Sequence, residues 1–301
     1  MGQALDIKHD APKRIVYTIA LGKPKFAECA LGLGRSLRLI GDTTRRVVIT
    51  DMPSYPWDRC FDEVLTPKDP LEWVFYTKLT ALERTDADQI LFIDGDTLAF
   101  KRLGPIFDYC AGKGFAVQGK QIRTGYWYGQ VEEHLTRHQI DTLPQFNGGM
   151  IYYERSSAVS DFIEVVRGNG RKSTELGFIY DSPIVIDEPN ISLAMAQTGF
   201  GHLIPDEMDF SNSATGLVGS LNMDVRSGTC KFICRRYDVR LVEPYLFHAS
   251  RYINFLIYWR QLDRLKQLDR YELTHSAGYM SPLHKLARSV QRRVLKLAGR
   301  L

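Results

Sequence analysis

The feature that most constrains this chain is an alternation, over its first 120 residues, of short apolar β-branched runs with stretches of helical periodicity. Ile15–Ala20, Val47–Thr50, Ile90–Ile93 and Phe115–Gln118 read as strands, and Phe26–Leu39, Phe75–Glu83 and 104–109 as helices. Strands written as continuous apolar runs are buried on both faces, as in a largely parallel sheet covered by helices. The expected fold class is therefore α/β, with a mixed, mostly parallel central sheet. Met150–Tyr153 adds a strand, and Ser157–Arg167 and Pro189–Gln197 add helices. Residues 121–146 show no clear period beyond a short helix near Val131–Ile140 and read as a long functional excursion.

The 301 residues, 44% hydrophobic and 25% charged, supply enough apolar mass for a sizeable core. No Gly/Ser linker divides them, so the expected organisation is one unit over 1–282 and a tail over 283–301. Apolar runs stop short of the roughly 18 residues a bilayer span requires. The N-terminus lacks an apolar signal region and places Asp6 where a myristoylation signal wants Ser or Thr. Five scattered cysteines predict reduced thiols and a cytoplasmic setting, and the close pair Cys230 and Cys234 lacks two further zinc ligands nearby.

Net charge is +4, but the last 19 residues hold six basic and no acidic side chains, which leaves −2 on the rest. That distribution argues against a nucleic-acid footprint. In the tail, Leu283, Leu286, Ala287, Val290, Val294, Leu297 and Leu301 recur at helical spacing between the bases. Such a C-terminal amphipathic helix either packs on the body or lies on an anionic membrane surface, which would make the protein peripheral.

The most informative chemistry is at the end of the third strand. There the apolar run 89–93 leads into Asp94-Gly95-Asp96, so two carboxylates project where open α/β sheets present ligands. Gly95 permits a tight turn and close approach of a phosphate. Two hard oxygen donors one residue apart suit Mg²⁺ or Mn²⁺ bridging to a diphosphate. Alone, Asp-x-Asp also occurs as a solvated turn. A phosphatase of the haloacid dehalogenase type starts similarly, but wants Thr or Val where Leu98 stands and a later Gly-Asp that is missing after residue 96.

From here the chain resembles the GT-A-type glycosyltransferases, most closely family 8, the retaining group of glycogenin and the bacterial lipopolysaccharide galactosyl- and glucosyltransferases. The motifs run in order through residues 15–250. Val16–Ala20 with Ala30–Arg38 is similar to the family's nucleotide-binding start, implying that Tyr17, Thr18 and Ala20 border the nucleotide. Tyr76-Thr-Lys-Leu79 resembles Tyr-x-Lys-Leu, with Lys78 near the donor. Phe146-Asn-Gly-Gly-Met150 resembles Phe-Asn-Ser-Gly-Val, with Asn147 at the donor sugar and Gly148 and Gly149 allowing backbone approach. Each also has a plain reading, as a solvated lysine or a turn.

Asp187-Glu188-Pro-Asn-Ile-Ser-Leu193 resembles the Asp-Gln run facing the sugar, with Glu188 in place of Gln. A carboxylate there could be a nucleophile or stabilise an oxocarbenium-like transition state, or the two acids could simply favour a helix N-terminus. Leu246-Phe-His248 resembles the C-terminal His motif, which makes His248 the third metal ligand and Arg251 a phosphate contact, although the family's His-x-x-Gly is absent. An ordinary core histidine is the alternative.

The resemblance implies a metal-dependent retaining transfer of a hexose from a nucleotide sugar, a UDP-hexose, to a saccharide or glycolipid acceptor. Asp187, Glu188 and Asn147 are the expected catalytic residues; Asp94, Gly95, Asp96, Gly148 and Gly149 face the donor. The run Arg123-Thr-Gly-Tyr-Trp-Tyr-Gly129 offers aromatic faces to an acceptor, or core packing. A sugar nucleotidyltransferase would want a Gly-rich phosphate loop, for which Leu21-Gly-Lys-Pro-Lys25 is a poor substitute. A catalytically inactive sugar-nucleotide-binding protein is the third reading.

Overall fold

The computed structural model describes residues 11–68, 77–180, 186–213, 215–234, 239–250, 253–268, 286 and 289–290. Its centre is β1 (Arg14–Ala20), flanked by β2 (Arg45–Thr50) and β4 (Gln89–Ile93), both parallel to it. Outside β2 lies the short parallel β3 (Glu63–Leu65). On the other side β7 (Leu143–Glu154) runs antiparallel to β4, followed by β6 (Phe115–Ile122) and β8 (His202–Ile204). The order β3-β2-β1-β4-β7-β6-β8 makes a seven-stranded mixed sheet in which most pairings are parallel, as expected.

Both β1 and β4 are sheathed on two sides. Ile15, Tyr17, Ile90 and Phe92 belong to one apolar cluster, and Val16, Leu91 and Ile93 to another on the opposite face. Successive strand residues point to opposite faces, so only uninterrupted apolar runs can satisfy both. Helix α1 (Pro24–Leu39) opens on Pro24, whose fixed φ suits a first turn, and returns the chain from β1 to β2. Helices α2 (Ala81–Arg84), α3 (Gly104–Cys110) and α4 (Val131–His138) are short. α5 (Ser157–Arg171) is capped by Ser156, whose hydroxyl accepts the Val159 N–H at 3.2 Å, and α6 (Asp187–Thr198) ends at left-handed Gly199.

The excursion expected over 121–146 is shorter than the sequence suggests. β6 extends to Ile122 and β7 begins at Leu143, so regular pairing consumes both ends. The helix expected over Phe75–Glu83 is also shorter among the described residues: Lys78 lies in a turn and helix resumes only at Ala81.

Beyond residue 200 the pattern resolves into two small sheets. β10 (Leu217–Asp224), β11 (Thr229–Cys234) and β12 (Arg240–Val242) form an antiparallel meander. β5 (Thr97–Ala99), β13 (Leu246–His248) and β9 (Ser211–Ser213) form the other. α7 (Leu256–Leu268) packs on α1, where Lys266 pairs with the fully buried Glu28. All five cysteines are buried and free.

The division at 282/283 falls outside the described residues, as does the tail helix apart from Leu286, Ser289 and Val290, which are helical and exposed. No helix among the described residues is long and apolar enough to cross a membrane.

Candidate active site at the end of β4

Three strand pairings assemble the site. Asp94 and Asp96 leave the C-terminal end of β4, beside β1, where the strand order turns back and open α/β sheets hold ligands. β5 starts directly after them and pairs with β13 so that Thr97 faces His248. The Ala249 N–H donates to the Asp96 carbonyl at 3.0 Å, which fixes the histidine beside the acids. On the other flank the Asp94 N–H donates to the Gly149 carbonyl at 2.9 Å, continuing the β4–β7 register from Ile93 and Met150. Segments around residues 95, 148 and 248 are thus zipped together by backbone bonds.

Asp94, Asp96 and His248 bring one ligand atom each within 4.8 Å of one another. His248 Nε2 lies 3.2 Å from Asp96 Oδ1 and 3.6 Å from Asp94 Oδ2. Its Nδ1 lies 2.8 Å from Asn147 Oδ1, an oxygen that also accepts the Gly149 N–H at 3.1 Å. An amide oxygen only accepts, so the neutral ring carries its proton on Nδ1 and turns a free Nε2 lone pair toward the acids. Two carboxylates and an imidazole so oriented fit a divalent cation such as Mn²⁺ or Mg²⁺.

A second acidic pair stands beside the first. Asp187 and Glu188 open α6, and Lys78 bridges the two sets, its Nζ 3.0 Å from Asp94 Oδ1 and 3.0 Å from Asp187 Oδ2. The ammonium also donates to the Gly148 carbonyl at 3.3 Å and sits over the Phe92 ring at 5.0 Å. Glu188 accepts the Gly148 N–H at 2.7 Å through Oε1 and the Tyr128 hydroxyl at 2.5 Å through Oε2. Four carboxyl groups therefore crowd around one lysine and one histidine.

Titration follows from this crowding. Burial works against the charged His248 ring, but Asp96 and Asp94 outweigh it and raise its pKa to about 9. Burial likewise opposes the Lys78 charge, and Asp187 and Asp94 more than compensate, holding it above the ordinary lysine range. Asp96 is held below the usual carboxylate value, because His248 and backbone N–H donation exceed the effect of burial. Asp94 and Glu188 are pushed up by burial, with Asp187 adding to the rise at Glu188.

The glycines of the site serve packing. A Cβ on Gly149 would lie 2.3 Å from His248 Nδ1, so the imidazole occupies the space a side chain would take. A Cβ on Gly95 would lie 2.9 Å from the Ile19 carbonyl and 3.3 Å from Ala30 Cβ, which explains this glycine by the contact of β1 and α1 without a phosphate.

The remaining expected residues sit as follows. Tyr17 is fully buried, with its hydroxyl 3.1 Å from Thr80 Oγ1, and Thr18 and Ala20 are also fully buried. Lys78 is engaged by the acids of the site. Tyr76 and Arg251 lie outside the described residues. Of the aromatic run, Tyr126 is 64% exposed while Trp127 is packed in a cluster with Val131, Leu143, Phe178 and Leu193. Sequence reasoning missed the Tyr128 contact to Glu188; the flanking glycines at 125 and 129 mark an unusual loop but do not indicate its target.

Among solved structures, the chain superposes on the galactosyltransferase LgtC in complex with donor and acceptor sugar analogs. The match has a TM-score of 0.53 and 14% identity, and covers 85% of this chain and 95% of that one. The fold is GT-A. An active-site mutant of LgtC gives a TM-score of 0.51 at 13% identity, over 84% of this chain and 95% of the other. No protein-family model and no curated protein matches. At this identity the likeness concerns the GT-A fold, whose mixed, mostly parallel sheet the sequence anticipated.

Proposed function

We propose that this protein is a metal-dependent, family 8-like glycosyltransferase that moves a hexose from a nucleotide sugar, a UDP-hexose, to a saccharide or glycolipid acceptor with retention. The observation that carries the reading is the convergence of Asp94, Asp96 and His248 at the end of β4, beside Asp187 and Glu188. The donor-and-acceptor complex of LgtC, which shares the fold, supports it.

Asp94, Asp96 and His248 would hold Mn²⁺ or Mg²⁺, which when bound supplies Lewis-acid neutralisation of charge on the departing diphosphate. Asn147 fixes the His248 ring, and Lys78 ties the two acidic sets together by pairing with both Asp94 and Asp187. Asp187 and Glu188 place negative charge beside the sugar, where a carboxylate stabilises oxocarbenium-like character or attacks the anomeric carbon. In this reading Gly95, Gly148 and Gly149 would face the donor, Tyr17, Thr18 and Ala20 would border the nucleotide, and Arg251 would meet phosphate. Exposed Tyr126 offers a face for an acceptor sugar. The six bases of 283–301 suit an anionic membrane surface carrying a lipid-linked acceptor, consistent with a peripheral cytoplasmic enzyme.

The test is nucleotide release from a panel of UDP-sugars, with and without Mn²⁺, by the native chain and Asp96→Ala. Metal-dependent release that the substitution abolishes is expected. No metal-dependent turnover with any donor would overturn the reading, and pyrophosphate formation from a nucleoside triphosphate and a sugar phosphate would place the chain among nucleotidyltransferases.

A further inference from the structure

Among the described residues, four that are not glycine have positive φ, and Tyr128, at 52°, is the aromatic one. A bulky side chain in left-handed backbone is strained and persists only where its surroundings impose it; such positions gather at functional sites. Here the surroundings are specific. The Tyr128 carbonyl accepts the Ile179 N–H at 2.7 Å and lies 3.1 Å from His134 Nε2. The ring lies between Trp127 and Tyr180, with centroids 5.0 and 6.1 Å away. This arrangement delivers the hydroxyl to Glu188 Oε2 at 2.5 Å.

We propose that Tyr128 is a positioning residue for Glu188, its hydroxyl aiming the carboxylate and coupling it to the 123–129 segment on which an acceptor would dock. This rests on the transferase reading of the same site. Glu188 has two donors from two segments, the Gly148 N–H on β7 and the Tyr128 hydroxyl, so both oxygens have a fixed direction. Among the described residues, the charged or titratable groups that act on it are Asp187 on its own helix, Lys78 from the turn before α2, and Tyr128. Burial and Asp187 favour the protonated acid; Tyr128, Gly148 and Lys78 favour the anion. Loss of the hydroxyl therefore removes direction and charge together. Exposed Tyr126 is two residues away in the same segment, so movement of that segment on docking would be felt at the carboxylate.

The experiment uses the full chain with Mn²⁺ and UDP-hexoses, comparing Tyr128→Phe, Glu188→Gln and the double variant. Phe keeps the ring packing. A hydrogen bond to a charged group predicts a kcat lower by roughly ten- to a hundredfold in Tyr128→Phe, with donor KM little changed. The acid limb of the kcat profile moves to higher pH, and Tyr128→Phe has no further effect in the Glu188→Gln background. An effect on KM alone, or additive effects in the double variant, overturns the proposal. Carbon-13 NMR of labelled glutamate carboxyls, with the Glu188 signal assigned by its loss in Glu188→Gln, gives a readout independent of turnover. A Glu188 titration that does not move in Tyr128→Phe overturns the proposal whether or not the chain turns over. A titration that moves upward in a chain without turnover supports the pair and counts against the transferase reading alone.

Discussion

His248 Nδ1 and the Asn147 amide oxygen lie 2.8 Å apart, and that contact decides which imidazole nitrogen faces Asp94 and Asp96. Partners that orient a ligating histidine typically contribute about 10- to 100-fold in metal affinity. Asn147→Leu is expected to weaken Mn²⁺ binding by about that factor, measured by isothermal titration calorimetry, without abolishing it. An unchanged affinity would remove Asn147 from the site's machinery.

Metal binding should be linked to pH through the same ring. Without metal, the His248 pKa of about 9 keeps the imidazole protonated at neutral pH, so a cation must displace a proton. Mn²⁺ affinity is expected to rise with pH up to about 9 and then level off. Stability without metal runs the opposite way. A folded pKa raised above the ordinary histidine value contributes stability that is complete below roughly 6.5 and lost as pH climbs through about 9. Thermal melts across that window, with and without Mn²⁺, should diverge; parallel curves would contradict the assignment.

Gly149→Ala puts a methyl where the imidazole sits, 2.3 Å from Nδ1 by ideal geometry. Overpacking of this kind costs about 1–3 kcal/mol. The variant is expected to melt earlier and bind Mn²⁺ more weakly, whereas Gly112→Ala, a glycine with open space around its Cβ, should affect stability through its φ of 78° but leave metal affinity unchanged. Equal metal affinities in the two variants would separate Gly149 from the site.

Lys78 is buried between Asp94 and Asp187. Removing one partner of a buried ion pair commonly costs about 3–5 kcal/mol, because the remaining charge is uncompensated. Lys78→Met is therefore expected to be strongly destabilising in chemical denaturation, and Lys78→Met with Asp187→Asn less so than the single change. Additive losses would show that the pair is not energetically coupled.

What the sequence disclosed follows from burial. β1 and β4 are covered on both faces, so their apolar runs are unbroken and legible, and the acids that end β4 are conspicuous against them. β5, β9 and β13 have three residues each, too few for any period to register, yet they bring His248 to the acids. The Phe146-Asn-Gly-Gly-Met150 run looks like a turn before a strand, but β7 passes straight through it, with a pairing irregularity opposite between Val117 and Gly119. The Lys78 bridge to Asp187 and the Tyr128 hydroxyl on Glu188 depend on tertiary approach over long separations, which local pattern does not encode.

The central claim is that Asp94, Asp96 and His248 form one cation site. Crystals grown with Mn²⁺ and UDP, with diffraction collected at the manganese absorption edge, test it most directly. A single strong anomalous peak within coordination distance of all three side chains, lost in Asp96→Ala, is the expected result. A peak elsewhere, or none at saturating Mn²⁺, would contradict it.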